Sequence, residues 1–158
     1  MKPSVPLVFD IDLSQLPSDN TGRHEAFVDL FGQFLFWLRN SSLESSRKFI
    51  ESTESREKLG KIRRQCYEGI AQLPPEQREA AMLLVEETLN GFAERLVWLL
   101  GDEGTDARMG SFHAYRFRVE MEIVDVQTGH LIEVETINRG GKFFGSNWGR
   151  WLNRFRDK

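Results

Sequence analysis

From Leu7 to Leu13 the chain alternates, with Leu7, Phe9, Ile11 and Leu13 on one side and Val8, Asp10 and Asp12 on the other. A period of two predicts a half-buried β-strand. The turn-rich stretch Pro17 to Gly22 ends it. From about Arg23 to Arg39 the period becomes helical, with Phe27, Leu30, Phe31, Phe34, Leu35 and Leu38 at helical spacing. Val28, Phe36 and Trp37 widen the apolar surface beyond one stripe, which predicts a central helix covered on several sides. Asn40-Ser41-Ser42 is expected to stop it, and Ser41 with Glu44 fits a capping box for the next helix.

Between Leu43 and about Leu73 the chain is charged, and Glu44–Lys48, Glu54–Lys58 and Glu57–Lys61 are i,i+4 pairs that support an exposed helix. Leu59, Ile62, Cys66, Ile70 and Leu73 form its expected buried stripe. The pattern leaves open whether residues 41 to 55 form a separate short helix. Pro74-Pro75 breaks the chain and starts a helix to about Leu100, with Ala81, Leu84, Val85, Leu89, Phe92, Leu96 and Leu99 inward and Gly101 at its end.

A polar loop is expected from Asp102 to Gly110, and then the period changes again. His113, Tyr115, Phe117, Val119, Met121 and Ile123 alternate with Arg116, Arg118, Glu120 and Glu122, and a second alternating run covers Leu131 to Ile137. Gln127-Thr128-Gly129-His130 between them reads as a tight turn, so the two runs form a β-hairpin. A short amphipathic helix carrying Trp148, Trp151, Leu152 and Phe155 closes the chain. The expected order is β-α-α-α-β-β-α: one α+β domain over residues 1 to 158, with an N-terminal strand, a three-helix layer, a β-hairpin and a short C-terminal helix. Its small antiparallel sheet packs on the helices; the pairing of the first strand stays open.

Composition narrows the function classes. The chain has 158 residues, 40% of them hydrophobic, enough for a core without disulfide or metal staples. Cys66 is its one cysteine, which excludes an internal disulfide and suits a reducing, cytoplasmic setting. No apolar run has the length of a signal-peptide core or a membrane span, so a soluble protein is expected. The formal charge of −3 argues against a coat for nucleic acid. That figure conceals an asymmetry. Residues 139 to 158 hold Arg139, Lys142, Arg150, Arg154, Arg156 and Lys158 against Asp157, so they carry +5 and the rest of the chain carries −8.

Two surface features follow. Matching apolar faces across the hairpin puts Ile123 opposite Val134 or Ile132, and either register gathers Glu120, Glu122, Glu133 and Glu135 on one face. Asp10 and Asp12 would extend that face if the first strand joins the sheet. It reads as a solvated face offset by Arg116 and Arg118, as a surface for a basic protein partner, or as a divalent-metal site. A metal-dependent nuclease would also want a lysine near the second acid pair, where Thr136 and Asn138 stand. The second feature is the aromatic, basic C-terminus. Trp148, Trp151, Leu152 and Phe155 either close the core or, with Arg150 and Arg154, anchor a partner or a second copy.

Other chemistry is sparse. Gly140-Gly141-Lys142-Phe143-Phe144-Gly145 lacks the spacing of a phosphate loop, His24, His113 and His130 have no metal-ligand spacing, and Cys66 lies on an expected buried stripe. No catalytic motif, resident metal or cofactor is expected. The reading is a small cytoplasmic, non-catalytic accessory protein of inhibitor, immunity or adaptor type that binds another protein. Its partner-binding residues would be Glu120, Glu122, Glu133, Glu135, Trp148, Trp151, Phe155, Arg150 and Arg154. A homodimer through the C-terminal aromatics is one form of this, and neither nucleic acid nor membrane is an expected partner. The rival is a divalent-metal-dependent hydrolase using the four glutamates.

Overall fold

The computed structural model describes residues 13–101, 107–109, 113–115, 117–139 and 144–155. The described chain is mostly helical with short antiparallel strand pairs, an α+β composition. The expected strand at Leu7–Leu13 lies outside the described residues except for Leu13, which opens a 3-10 turn, Leu13–Gln15. Four helices follow: α1 (Asn20–Glu51), α2 (Thr53–Glu57), α3 (Lys61–Ala71) and α4 (Pro75–Leu100). Strands β1 (Ala107–Met109), β2 (His113–Tyr115), β3 (Glu120–Val124) and β4 (Leu131–Thr136) precede α5 (Asn147–Phe155). The pairs β1–β2 and β3–β4 are separate antiparallel ladders. Strand β1 falls inside the expected polar loop.

The chain divides into two compact units, one of Met1–Phe34 with Val97–Lys158 and the other of Leu35–Leu96. In the first, α1 begins where Asp19 Oδ1 accepts the Gly22 N–H at 2.8 Å, an N-cap bond that starts the helix before the expected Arg23. The core of this unit is Phe27, Val28, Val97, Ile137, Phe144, Trp148, Trp151 and Phe155, all buried. Trp151 is wholly buried and lies flat over Gly32, where a Cβ would collide with the indole. Gly145 makes the same kind of close approach to the ring of Trp98. The expected C-terminal helix is present, and its aromatic stripe is the lid of this core.

The second unit departs from several expectations. Helix α1 continues through Asn40-Ser41-Ser42 to Glu51, so residues 41 to 51 are not a separate helix and the expected capping box is not made. The Ser42 hydroxyl instead donates to the Leu38 carbonyl one turn back, which disposes of the group that would have stopped the helix. The real break comes at Ser52, whose hydroxyl accepts the Ser55 N–H and caps α2. Arg39 is buried here: Nε donates to Asn90 Oδ1 at 2.7 Å, Nη1 to Asn40 Oδ1 at 2.7 Å and Nη2 to Glu86, so its charge is fully met.

Helix α3 has no buried residue. The expected inward stripe is not a buried one: Leu59 and Ile70 are half-buried, Leu73 and the Cys66 thiol are exposed, and Ile62 is 78% exposed. Tyr67 is the contact instead, its ring 5.2 Å from that of Phe49. In α4 the inward residues are Met82, Ala93 and Val97, while Leu84 and Phe92 are 68% and 67% exposed. Ala81, Val85, Leu89 and Leu96 are half-buried and Leu99 is exposed, so the expected stripe is only partly turned inward.

Glycine-to-alanine substitutions separate crowded from open helix positions. Gly69→Ala and Gly91→Ala, with nothing near the new Cβ, should stabilise by about 0.5–1 kcal/mol through lower backbone entropy. Gly32→Ala should instead destabilise by about 1–3 kcal/mol, since the added methyl overpacks the Trp151 ring. Urea unfolding of the three variants checks the opposite signs.

Candidate functional site

The β3–β4 hairpin places most of the sequence-predicted acids, and its register decides what they do. Its connection runs from Asp125 to His130, two residues longer than the expected turn Gln127–His130. Asp125 Oδ1 accepts the backbone N–H of Gln127 and of Thr128, and Gly129 takes a φ of 70°, where a side chain would be strained. These bonds also hold the Asp125 carboxyl below the usual carboxylate range, with the Thr128 hydroxyl the main cause.

Beyond the turn the ladder pairs Glu120 with Thr136, Met121 with Glu135, Glu122 with Val134 and Ile123 with Glu133. Neither expected register occurs, because an irregularity between Ile123 and Val124 shifts the pairing by one residue. A one-residue slip moves every side chain of one strand to the other face. Residues paired across a ladder share a face, so Glu133 and Glu135 lie with Met121 and Ile123, and Glu120 and Glu122 lie on the opposite face with Val134 and Thr136. The expected single cluster of four glutamates is therefore split into two pairs. Among the described residues no group of His, Cys, Asp or Glu is arranged to hold a metal ion.

The inner pair meets Arg23 and His24 from α1. Arg23 grips Glu133 with both ends of its guanidinium, Nε donating to Oε1 at 2.6 Å and Nη2 to Oε2. That fork holds the Glu133 carboxyl below the usual range and raises Arg23 above its ordinary value. Glu135 Oε1 lies 2.7 Å from His24 Nδ1 and 2.7 Å from Arg139 Nε. Arg139 Nε is also 3.3 Å from His24 Nδ1. One ring nitrogen cannot donate to the carboxylate and accept from the guanidinium, and the shorter carboxylate contact decides. Nδ1 therefore carries a hydrogen directed at Glu135.

Asn138, buried just after β4, ties the hairpin to the end of α4. Its Nδ2 donates to the Leu100 carbonyl at 2.6 Å and to the Phe117 carbonyl at 2.8 Å, while Oδ1 accepts the Val119 N–H at 2.9 Å. Sequence reasoning passed over Asn138 and Arg23. An amide next to a strand end and an arginine in a first helical turn have no periodic signature.

The C-terminal candidates are used internally. Trp148, Trp151 and Phe155 are buried, so they are not exposed anchors, and the expectation that they meet a partner is corrected. Arg150 Nη2 donates to Asp29 Oδ1 at 2.6 Å, Arg154 Nη1 donates to Asp29 Oδ2, and the Trp151 indole donates to Oδ1 at 3.2 Å. One α1 carboxylate thus holds two cations of the basic tail.

Among the described residues, which do not include Arg116, the outer hairpin face has no such engagement. Glu120 and Glu122 are exposed beside exposed Val134, and Val124, Leu131 and Ile132 are about half exposed nearby. Val126 at the turn is 97% exposed. Arg118 approaches Glu120 at 3.7 Å, a loose surface pair that contributes little. No protein-family model matches the chain, and neither a curated protein nor a solved structure shows significant similarity to it. No helix among the described residues is long and apolar enough to cross a membrane.

Two stability measurements follow. Asn138→Ala strips three bonds from part-buried groups and should cost about 2–4 kcal/mol in urea unfolding. Asn138→Asp keeps the acceptor, loses both donors and should recover little. Since the Glu133 carboxyl is lowered on folding, its contribution is full above the ordinary carboxylate value of about 4.3 and is lost as pH falls through the folded value. The gap in Tm between the protein and Glu133→Gln should therefore stay constant from pH 7 to 5 and close towards pH 3. Parallel curves would show that the ion pair adds no stability.

Proposed function

We propose that this protein is a small non-catalytic binding protein that captures another protein on the outer face of the β3–β4 hairpin. The observation that carries this reading is the exposed mixture on that face: Glu120 and Glu122 beside Val134, with Leu131 and Ile132 also open to solvent. An apolar centre rimmed by carboxylates matches a partner with an apolar contact and a basic rim. The acids give steering and salt dependence, and the apolar residues give affinity. An inhibitor or immunity-type role towards a basic protein, or an adaptor role, fits this chemistry. The lone cysteine supports a reducing, cytoplasmic setting. Of the expected partner-binding residues, this reading keeps Glu120 and Glu122. Glu133, Glu135, Arg150 and Arg154 are held in ion pairs within the first unit, and Trp148, Trp151 and Phe155 belong to its core.

A photo-crosslinking residue at position 122, in cells that naturally express the protein, should capture one partner that the same probe at exposed position 57 does not. The purified partner should bind more weakly as salt rises, and the double variant Glu120→Lys, Glu122→Lys should weaken it at least tenfold and flatten that dependence. Equal capture at both positions, or an affinity indifferent to the double variant, would overturn the proposal.

A further inference from the structure

The first unit contains a cleft of about 290 Å³ lined by His24, Glu25, Val28, Ile137, Arg139, Phe144, Asn147 and Arg150. We propose that this cleft binds a small organic carboxylate with a compact apolar body. Val28, Ile137 and Phe144 are buried core residues whose edges form an apolar floor. His24, Arg139, Asn147 and Arg150 supply polar groups around it, the usual composition of a small-molecule site.

The cations are held in place but not used up. Among the described residues, Arg139 meets Glu135 through Nε alone, and Arg150 meets Asp29 through Nη2 alone. The terminal nitrogens of Arg139, and Nε and Nη1 of Arg150, keep their N–H donors for a ligand. Asp29 is shared by Arg150 and Arg154, which offsets the Glu25 carboxylate on the rim and leaves the surroundings of the cleft balanced in charge. Asn147 begins α5, whose N-terminal end adds a small positive field. His24 donates through Nδ1 to Glu135, which turns its ring and leaves Nε2 as the remaining polar atom.

Glu25 sets the ligand's charge. Its carboxylate on the rim repels a dianion more than a monoanion, so the arrangement suits a carboxylate better than a phosphate monoester. The volume equals that of about ten waters, room for a single ring with its acid group.

Benzoate is the test probe, with benzamide as its neutral isostere and acetate as the acid without the ring. Backbone NMR of the full chain follows Glu25 to Val28 and Asn147 to Arg150. Benzoate should shift these resonances saturably with a Kd around 1 mM. Benzamide and acetate should bind at least tenfold more weakly. Arg139→Gln and Arg150→Gln should each weaken benzoate tenfold. Because those variants also loosen an ion pair, Glu25→Gln, on an exposed residue, provides the opposite sign: removing its charge should tighten benzoate about two- to threefold. Equal shifts with benzamide, shifts that do not saturate, or a Glu25→Gln variant with unchanged benzoate affinity would overturn the proposal.

Discussion

The first unit depends on one contact, the Trp151 indole laid over Gly32 of α1. Trp151 is wholly buried, and aromatic side chains of this size dominate the apolar area a small core removes from water. Phe31 and Phe144 close around it with ring centroids 6.1 Å and 6.0 Å away, both edge-on to the indole. The indole nitrogen still needs an acceptor, and Asp29, three residues before Gly32, provides it. The same carboxylate draws in Arg150, the residue before the tryptophan, and Arg154, one turn after it. A single acid on α1 thus meets a polar need inside the lid and neutralises the charge at its rim. With α5 docked this way, Phe144 and Asn147 reach the cleft that they line.

Charge in this chain is organised inward. The separation between an acidic body and a basic tail, visible in composition, reads at first as two surfaces for two partners. Among the described residues of the first unit it is self-complementary: Asp29 takes Arg150 and Arg154, and Glu135 takes Arg139. The inner hairpin face continues the pattern with Arg23 on Glu133. What is left to face solvent on the hairpin is smaller and different in kind, two glutamates next to exposed aliphatic side chains. The second unit holds its own buried cation, Arg39, which meets Asn40, Glu86 and Asn90 and lies 5.7 Å from the Phe36 ring centre.

Local signals in the sequence were accurate where one physical rule acts alone. Pro75 opens α4, the Asp125-to-Gly129 turn joins β3 to β4, and the spacing of Trp148, Trp151 and Phe155 marks both the last helix and its buried side. The errors share another cause. Asn40-Ser41-Ser42 looked like a stop, but a serine hydroxyl bonded back to the helix is compatible with continuation, and α1 runs on. Leu84 and Phe92 looked inward because α4 carries apolar residues around more than one side, and the pattern contains no rule for choosing among them.

The hairpin shows the division most clearly. Its existence, its turn residues and its acidic composition were determined by the sequence itself, through period-two alternation and the demand for a residue tolerant of positive φ at Gly129. Its register was not, because one irregular step between Ile123 and Val124 reassigns every partner without altering the pattern. Tertiary structure made that choice. Arg23 and His24 stand on α1 where Glu133 and Glu135 can meet them, and a carboxylate beside a cation is as acceptable against a helix as an aliphatic side chain. Alternation can report which residues share a face, but only the partners brought up from distant sequence decide which face turns inward.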